Sequence, residues 1–199
     1  MLAIARTNLI NIIDSRTAKY LISFLLFLYV FISPTSPIIF GDAFTYLKYS
    51  VDLENYQLVN FGTKQLGYSY FIYVSEQIGS LLSIGGVNLI IILQKVIFFI
   101  ALLSIVFSFK LLYPILVLPF LHWRVLGMLN VIYPEALSLS LLIIFSVLLI
   151  RYYKSPSLFY LVTLFFVLIS LALIKIQYLV LALPLLTVFV VSKLYNFFP

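Results

Sequence analysis

Two carboxylates and three bases in this sequence stand where they can do chemistry. Asp42 lies in GDAFTYLKY and Glu135 in YPEAL, while Arg124, Lys175 and Lys95 interrupt apolar runs in LHWRVLG, LIKIQY and LQKVIFF. A carboxylate held near an attacking hydroxyl acts as a general base, and fixed cations stabilise a departing phosphate. The five residues therefore outline transfer of a group from a phosphate-bearing donor. Each also has a plainer role. Asp42 follows a glycine and can cap a helix; Glu135 follows Pro134, where an acid in a first turn stabilises the helix dipole. Arg124 and Lys175 can snorkel to headgroups along their own stems. Lys95 sits deeper in its apolar run and requires a carboxylate, a cavity or a lipid phosphate, unless it too snorkels.

No second constellation competes with these residues. His122 is the single histidine, no further ligand stands at helical spacing from it, and it reads as a packed ring beside Trp123 rather than a metal ligand. Neither a metal nor another cofactor is expected. The sequence has no cysteine, so it has no disulfide framework and no thiolate nucleophile. SIGGVN lacks the glycine spacing of a phosphate-binding loop and reads as a turn, and no Ser-His-Asp arrangement is present.

The elements that must position these residues follow from composition. Apolar residues make up 64% of the 199 and charged residues 9%, with a mean hydropathy of +1.21. A soluble domain carries about 25% charged residues. The expectation is an integral membrane protein of all-α class, a single polytopic domain over residues 1–199. A bilayer core about 30 Å thick needs roughly 20 apolar residues per helix. On that measure six spans are expected, at 20–40, 86–109, 111–130, 132–150, 155–174 and 176–192. The first ends at SPTSP, because proline interrupts the helical ladder, and it reads as an anchor rather than a cleaved signal. Only Lys175 divides the last two, and one long bent helix is the alternative there.

Basic residues set the orientation. With the N-terminus in the cytoplasm, Arg6, Arg16, Lys19, Lys110, Arg151, Lys154 and Lys193 fall inside, against Lys48, Lys64, Arg124 and Lys175 outside. The positive-inside rule then places both termini in the cytoplasm. These bases are scattered singly, which argues against a nucleic-acid surface. Asp14 alone among the acids falls inside, while Asp42, Asp52, Glu54, Glu76 and Glu135 share the outer face. The outer loop at 41–85 is too long for a simple connector. Its aromatic and apolar residues predict two helices lying along the outer interface, at 42–54 and 67–83. Asp52, Glu54 and Glu76 are expected on their solvated faces.

GDAFTYLKY directly after the first span, then KQLGYSYFIYVSEQIG, the hairpin carrying YPEAL, and LALIKIQYLVLALPLL resemble the N-terminal half of GT-C membrane glycosyltransferases. That class includes the protein O-mannosyltransferases and aminoarabinose transferases, and the resemblance extends from Lys19 to Ser192. It implies an inverting sugar transfer from a polyprenyl-phosphate-linked donor to an acceptor at the outer face. An acid of the first outer loop, here Asp42, serves as base or acceptor-positioning group. Two departures stand out. Family members are usually much longer, which implies further spans or a partner membrane subunit supplying them. The Asp-Glu pair of the mannosyltransferases is missing, since Ala43 follows Asp42. A noncatalytic or truncated scaffold of the same fold and a polar-lipid transporter are the alternatives; the latter usually shows repeated halves, and no internal repeat is seen. The topology is open to direct test. Single cysteines at Gln57 and Ser157 are expected to label from opposite sides of an intact membrane, Gln57 from outside, and labelling of both from one side overturns the assignment.

Overall fold

The computed structural model describes residues 14–32, 37–39, 41–55, 66–110 and 112–175, with six further residues between 177 and 187. Among them are eight α-helices: α1 (Arg16–Ile32), α2 (Ala43–Glu54), α3 (Leu66–Leu81), α4 (Gly86–Ser108), α5 (Tyr113–Val117), α6 (Trp123–Leu129), α7 (Pro134–Lys154) and α8 (Leu158–Ile174). A short 3₁₀ turn, Leu118–Leu121, separates α5 from α6. No named strand occurs among the described residues.

Helices α4 and α7 are long and apolar enough to cross a membrane. Local chemistry fixes their ends. Pro134 opens α7 where its missing N–H costs nothing, Glu135 occupies the first turn, and Arg151 and Lys154 occupy the last. Both charge placements complement the helix dipole. The Ser157 hydroxyl accepts from the Tyr160 N–H at 3.3 Å to start α8.

Two expectations change on contact with the structure. Residues 112–130 do not form one continuous helix. Pro114 and Pro119 each remove a backbone donor, and the segment breaks into α5, the 3₁₀ turn and α6. The first helix is described over Arg16–Ile32; SPTSP, expected to end it, falls largely outside the described residues. The loop helices fall at the expected positions, but α3 does not lie apart along a surface. It folds back antiparallel on α4, because Gly79 and Gly86 let two backbones meet: a Cβ on Gly79 would lie 2.7 Å from the Gly86 Cα. The expected span at 176–192 falls largely outside the described residues; α8 itself ends at Ile174, with Lys175 in extended conformation.

Helices α4 and α7 run parallel, side by side. At one end Arg151 Nε donates to Ser108 Oγ at 2.8 Å; at the other, Gln94 of α4 reaches the chain just ahead of α7. Helix α1 packs antiparallel to α4, pairing Tyr20 with Phe107 and Phe31 with Phe99. Leu26, Val30, Phe98, Leu102, Ile143 and Val147 form the core between these three. Helix α8 lies against α7 through Phe145, Leu149, Leu164 and Leu171.

One short pairing ties the two irregular connections together. Ile38, after α1, forms a parallel bridge with Val131, between α6 and α7. The Ile38 N–H donates to the Asn130 carbonyl at 2.8 Å, and the Ile132 N–H donates to the Ile38 carbonyl at 3.3 Å. Gln94 holds the opposite side: its Nε2 donates to the carbonyls of Leu129 at 3.2 Å and Val131 at 3.1 Å. Its Oε1 accepts from the Tyr68 hydroxyl at 2.7 Å. Gln94 and Tyr68 are fully buried, so these bonds satisfy backbone groups that water does not reach. Gln94→Leu leaves two carbonyls and a phenol short of partners. At about 1–3 kcal/mol for each unsatisfied group, it is expected to lower stability by several kcal/mol, read as the melting temperature in detergent, whereas Gln77→Leu on the exposed side of α3 is expected to change little.

Candidate active site

The bridge brings the residue after Gly41 to the residue before Pro134. Gly41 has φ +56, a left-handed conformation that disfavours any side chain, and a Cβ there would come within 3.1 Å of the Tyr133 hydroxyl oxygen. The chain turns at Gly41 and starts α2, and the Asp42 N–H donates to the Tyr133 hydroxyl at 3.3 Å. The Asp42 carbonyl accepts from the N–H groups of Thr45 and Tyr46. Its carboxylate makes no capping bond to α2, so of the two roles open to it in the sequence, the cap is not the one its side chain plays.

Tyr46 lies one turn further along α2, buried with its ring edge-on to Tyr68 at 5.1 Å. Its hydroxyl is pushed up to about 12, by burial first and then by the charges of Glu135 and Asp42 and by Tyr133. Two carboxylates 93 residues apart in sequence thus act on one phenol. Tyr68 is raised too, by burial and then by Glu135 and Tyr46. Glu135 meets a cation from the far end of the fold. Lys175 Nζ donates to Glu135 Oε1 in a charge-assisted hydrogen bond, made accessible because the chain leaves α8 at Ile174. The other oxygen, Glu135 Oε2, is buried and has no hydrogen-bond partner among the described residues.

Asp42, Glu135 and Lys175 are therefore brought together. Arg124 is not: it is exposed, its guanidinium stacked over the Trp123 ring at 5.4 Å, and its N–H donates to His122 Nδ1 at 3.3 Å as that ring caps α6. Lys95 follows Gln94 in α4 and is fully buried, so it does not snorkel to the surface. Tyr46, Tyr133 and Gln94 are the positioning residues that sequence reasoning passed over. The signal for Gln94 was present, an uncharged amide inside LIIILQKVIFF, whereas nothing in the residue types marks the two tyrosines among fifteen.

A second acidic group sits above this site, where α2, α3 and the start of α4 enclose a cleft of about 450 Å³ lined by Glu54, Glu76, Gln77 and Gly86. Gln77 Nε2 donates to Glu54 Oε1 at 3.4 Å. Glu54 is exposed as expected, whereas Glu76 is half-buried. Its side chain packs against the Gly86 backbone, close enough that a Cβ on Gly86 would lie 2.9 Å from Glu76 Cγ. Burial pushes the Glu76 carboxyl up, a hydrogen bond with Ser50 opposes this, and the charge of Glu54 adds to the rise. Among the described residues no three His, Cys, Asp or Glu side chains gather as a metal site would require.

Comparison of the chain with protein-family models, curated proteins and solved structures finds no match.

Glu76 makes stability depend on pH with a definite sign. Its folded state favours the neutral acid, so its contribution is fully present below the ordinary value of 4.5 and is lost as pH rises through the raised one. Glu76→Gln is expected to melt higher than the parent protein at neutral pH. The gain is below about 1 kcal/mol, because the group is half exposed and screened. It is expected to vanish near about pH 4, and an equal difference at both pH values removes titration as the cause.

Proposed function

We propose that this chain is a multi-pass membrane protein that transfers a sugar from a polyprenyl-phosphate donor to an acceptor hydroxyl at the outer face of the bilayer. In this reading both termini are cytoplasmic and six spans surround the site. The observation that supports it best is the meeting of Asp42 and Glu135 around Tyr46, with Lys175 beside them, where the first loop helix starts. Asp42 is exposed while the side chains behind it are buried, which suits a group that must meet an acceptor arriving from water. Its carboxylate takes the proton of the acceptor hydroxyl as that oxygen attacks the anomeric carbon. The bond from that carbon to the phosphate oxygen breaks with inversion, and the polyprenyl phosphate leaves with the electron pair. Lys175 neutralises the departing phosphate, and Glu135 holds the ammonium in place. Arg124 serves as an outer contact for the headgroup, and Lys95 lends positive potential from behind the site. Further spans, from a longer chain or a partner subunit, complete the acceptor side.

A noncatalytic scaffold of the same architecture is the second reading. The Lys175–Glu135 ion pair favours it, since a cation already paired to an acid fastens α8 to α7 without any substrate.

Asp42→Asn separates the two. A positioned base contributes about 100-fold to 10,000-fold, so transfer from a polyprenyl-phosphate sugar in reconstituted membranes is expected to fall by about that range, with the melting temperature unchanged. Asp52→Asn, in the last turn of α2, is the control. Equal activity of the two variants removes Asp42 from the chemistry, and absence of transfer by the parent protein across lipid-linked donors supports the scaffold.

A further inference from the structure

The end of the bundle opposite the candidate site carries a feature that sugar transfer does not use. An apolar groove of about 310 Å³ runs between α4, the α5 to 3₁₀ segment and α7, lined by Ile105, Phe109, Leu116, Phe120, Leu139 and Ile150 among others. It exists because α5 is short and breaks at Pro119, leaving the space between α4 and α7 partly uncovered. Along α7 the lining extends from Leu139 to Ile150, about 16 Å of helix. The one polar side chain in the wall is Ser146, and its hydroxyl already donates to the Leu142 carbonyl at 2.8 Å.

Three bases rim the mouth of the groove. Lys154 Nζ stands 6.0 Å from the centre of the Phe109 ring, and Arg151, next to Ile150, is steadied by donating from Nε to Ser108 Oγ. Lys110 follows Phe109 and is exposed. No carboxylate pairs with any of the three among the described residues, and Asp14, just ahead of α1, is held by Lys19 at 2.7 Å. Arg151 and Lys154 complement the α7 dipole, but that interaction asks for no groove and nothing of Lys110.

We propose that this groove binds one anionic phospholipid of the bilayer, its acyl chain along the wall from Leu139 to Ile150 and its phosphate among Lys110, Arg151 and Lys154. The lining selects hydrocarbon over a peptide, whose backbone N–H and C=O groups would find no partners there. The rim selects a negative headgroup, since juxtamembrane bases attract anionic lipid. The basic rim lies about 24 Å along α7 from Glu135, so the headgroup's site is separate from the one proposed for sugar transfer.

The test is native mass spectrometry of the detergent-purified protein, with palmitoyl-oleoyl phosphatidylglycerol and the matching phosphatidylcholine added at equal concentration. One phosphatidylglycerol is expected to be retained per chain and to raise the melting temperature, with phosphatidylcholine doing neither. Replacing Lys110, Arg151 and Lys154 by Gln is expected to weaken retention about fivefold for each base removed. Ser146→Phe fills the groove and leaves every base in place, and it is expected to abolish retention. Equal retention of the two lipids overturns the proposal. So does full retention by the Ser146→Phe variant, which would place the lipid on the basic rim alone. A dimer that forms through this face and excludes lipid overturns it as well, by making a second copy the occupant.

Discussion

The parallel pairing of Ile38 with the segment at 130–132 is the contact on which the rest of this structure depends. Helices satisfy their own backbones, so a helical bundle places side chains only as well as its connections are placed. Here two irregular connections, each too short for a sheet, satisfy one another. The pairing brings Gly41 against Tyr133, and from that junction α2 and α7 start in fixed relation. Asp42 and Glu135 stand at the first residues of those helices, so the bridge sets their relation more directly than any side-chain contact does.

Gln94 extends the same constraint into the bundle. It reaches from the interior of α4 to two carbonyls on the free side of the 129–131 chain and receives the Tyr68 hydroxyl in turn. A polar amide in a run of isoleucines costs desolvation unless its groups are paired; here each of its described bonds satisfies a group that would otherwise be orphaned. Tyr68 then stands edge-on to Tyr46, which links α3, α4 and α2 through one chain of contacts. The electrostatic environment of Tyr46, raised by acids from two distant segments, is a consequence of that chain rather than of any local pattern.

Much of the helical layout was legible because it follows from local rules. The boundaries of α4, α7 and α8 fall close to where charges and prolines put them, and α2 and α3 fall where aromatic residues alternate with polar ones in the long loop. The segment at 111–130 was legible as an apolar run but not as a broken one, since it is divided into short pieces at its prolines. In the site, Asp42, Glu135 and Lys175 were legible as ionisable residues at the ends of apolar runs, and they converge. Arg124 has the same signature and does not join them, since α6 turns it onto Trp123. What decides between the two cases is the return path of a broken helix, which depends on contacts far apart in sequence. The fold-back of α3 is of the same kind: Gly79 and Gly86 permit it, but only the packed backbones reveal that the permission was used.

The bridge also bears on the order in which the molecule assembles. Ile38 and Val131 are 93 residues apart, and the Lys175 partner of Glu135 lies a further 40 beyond that acid. Contacts of such separation form late, after the loop-closure entropy has been met by the helices between them. A chain made from its N-terminus presents Asp42 before any complement to it exists. The second carboxylate arrives five helices later and its lysine last of all. The candidate site is thus the part completed last, while the α4 and α1 core can pack from residues already made. A folding intermediate of this protein would have a sound interior and an open site.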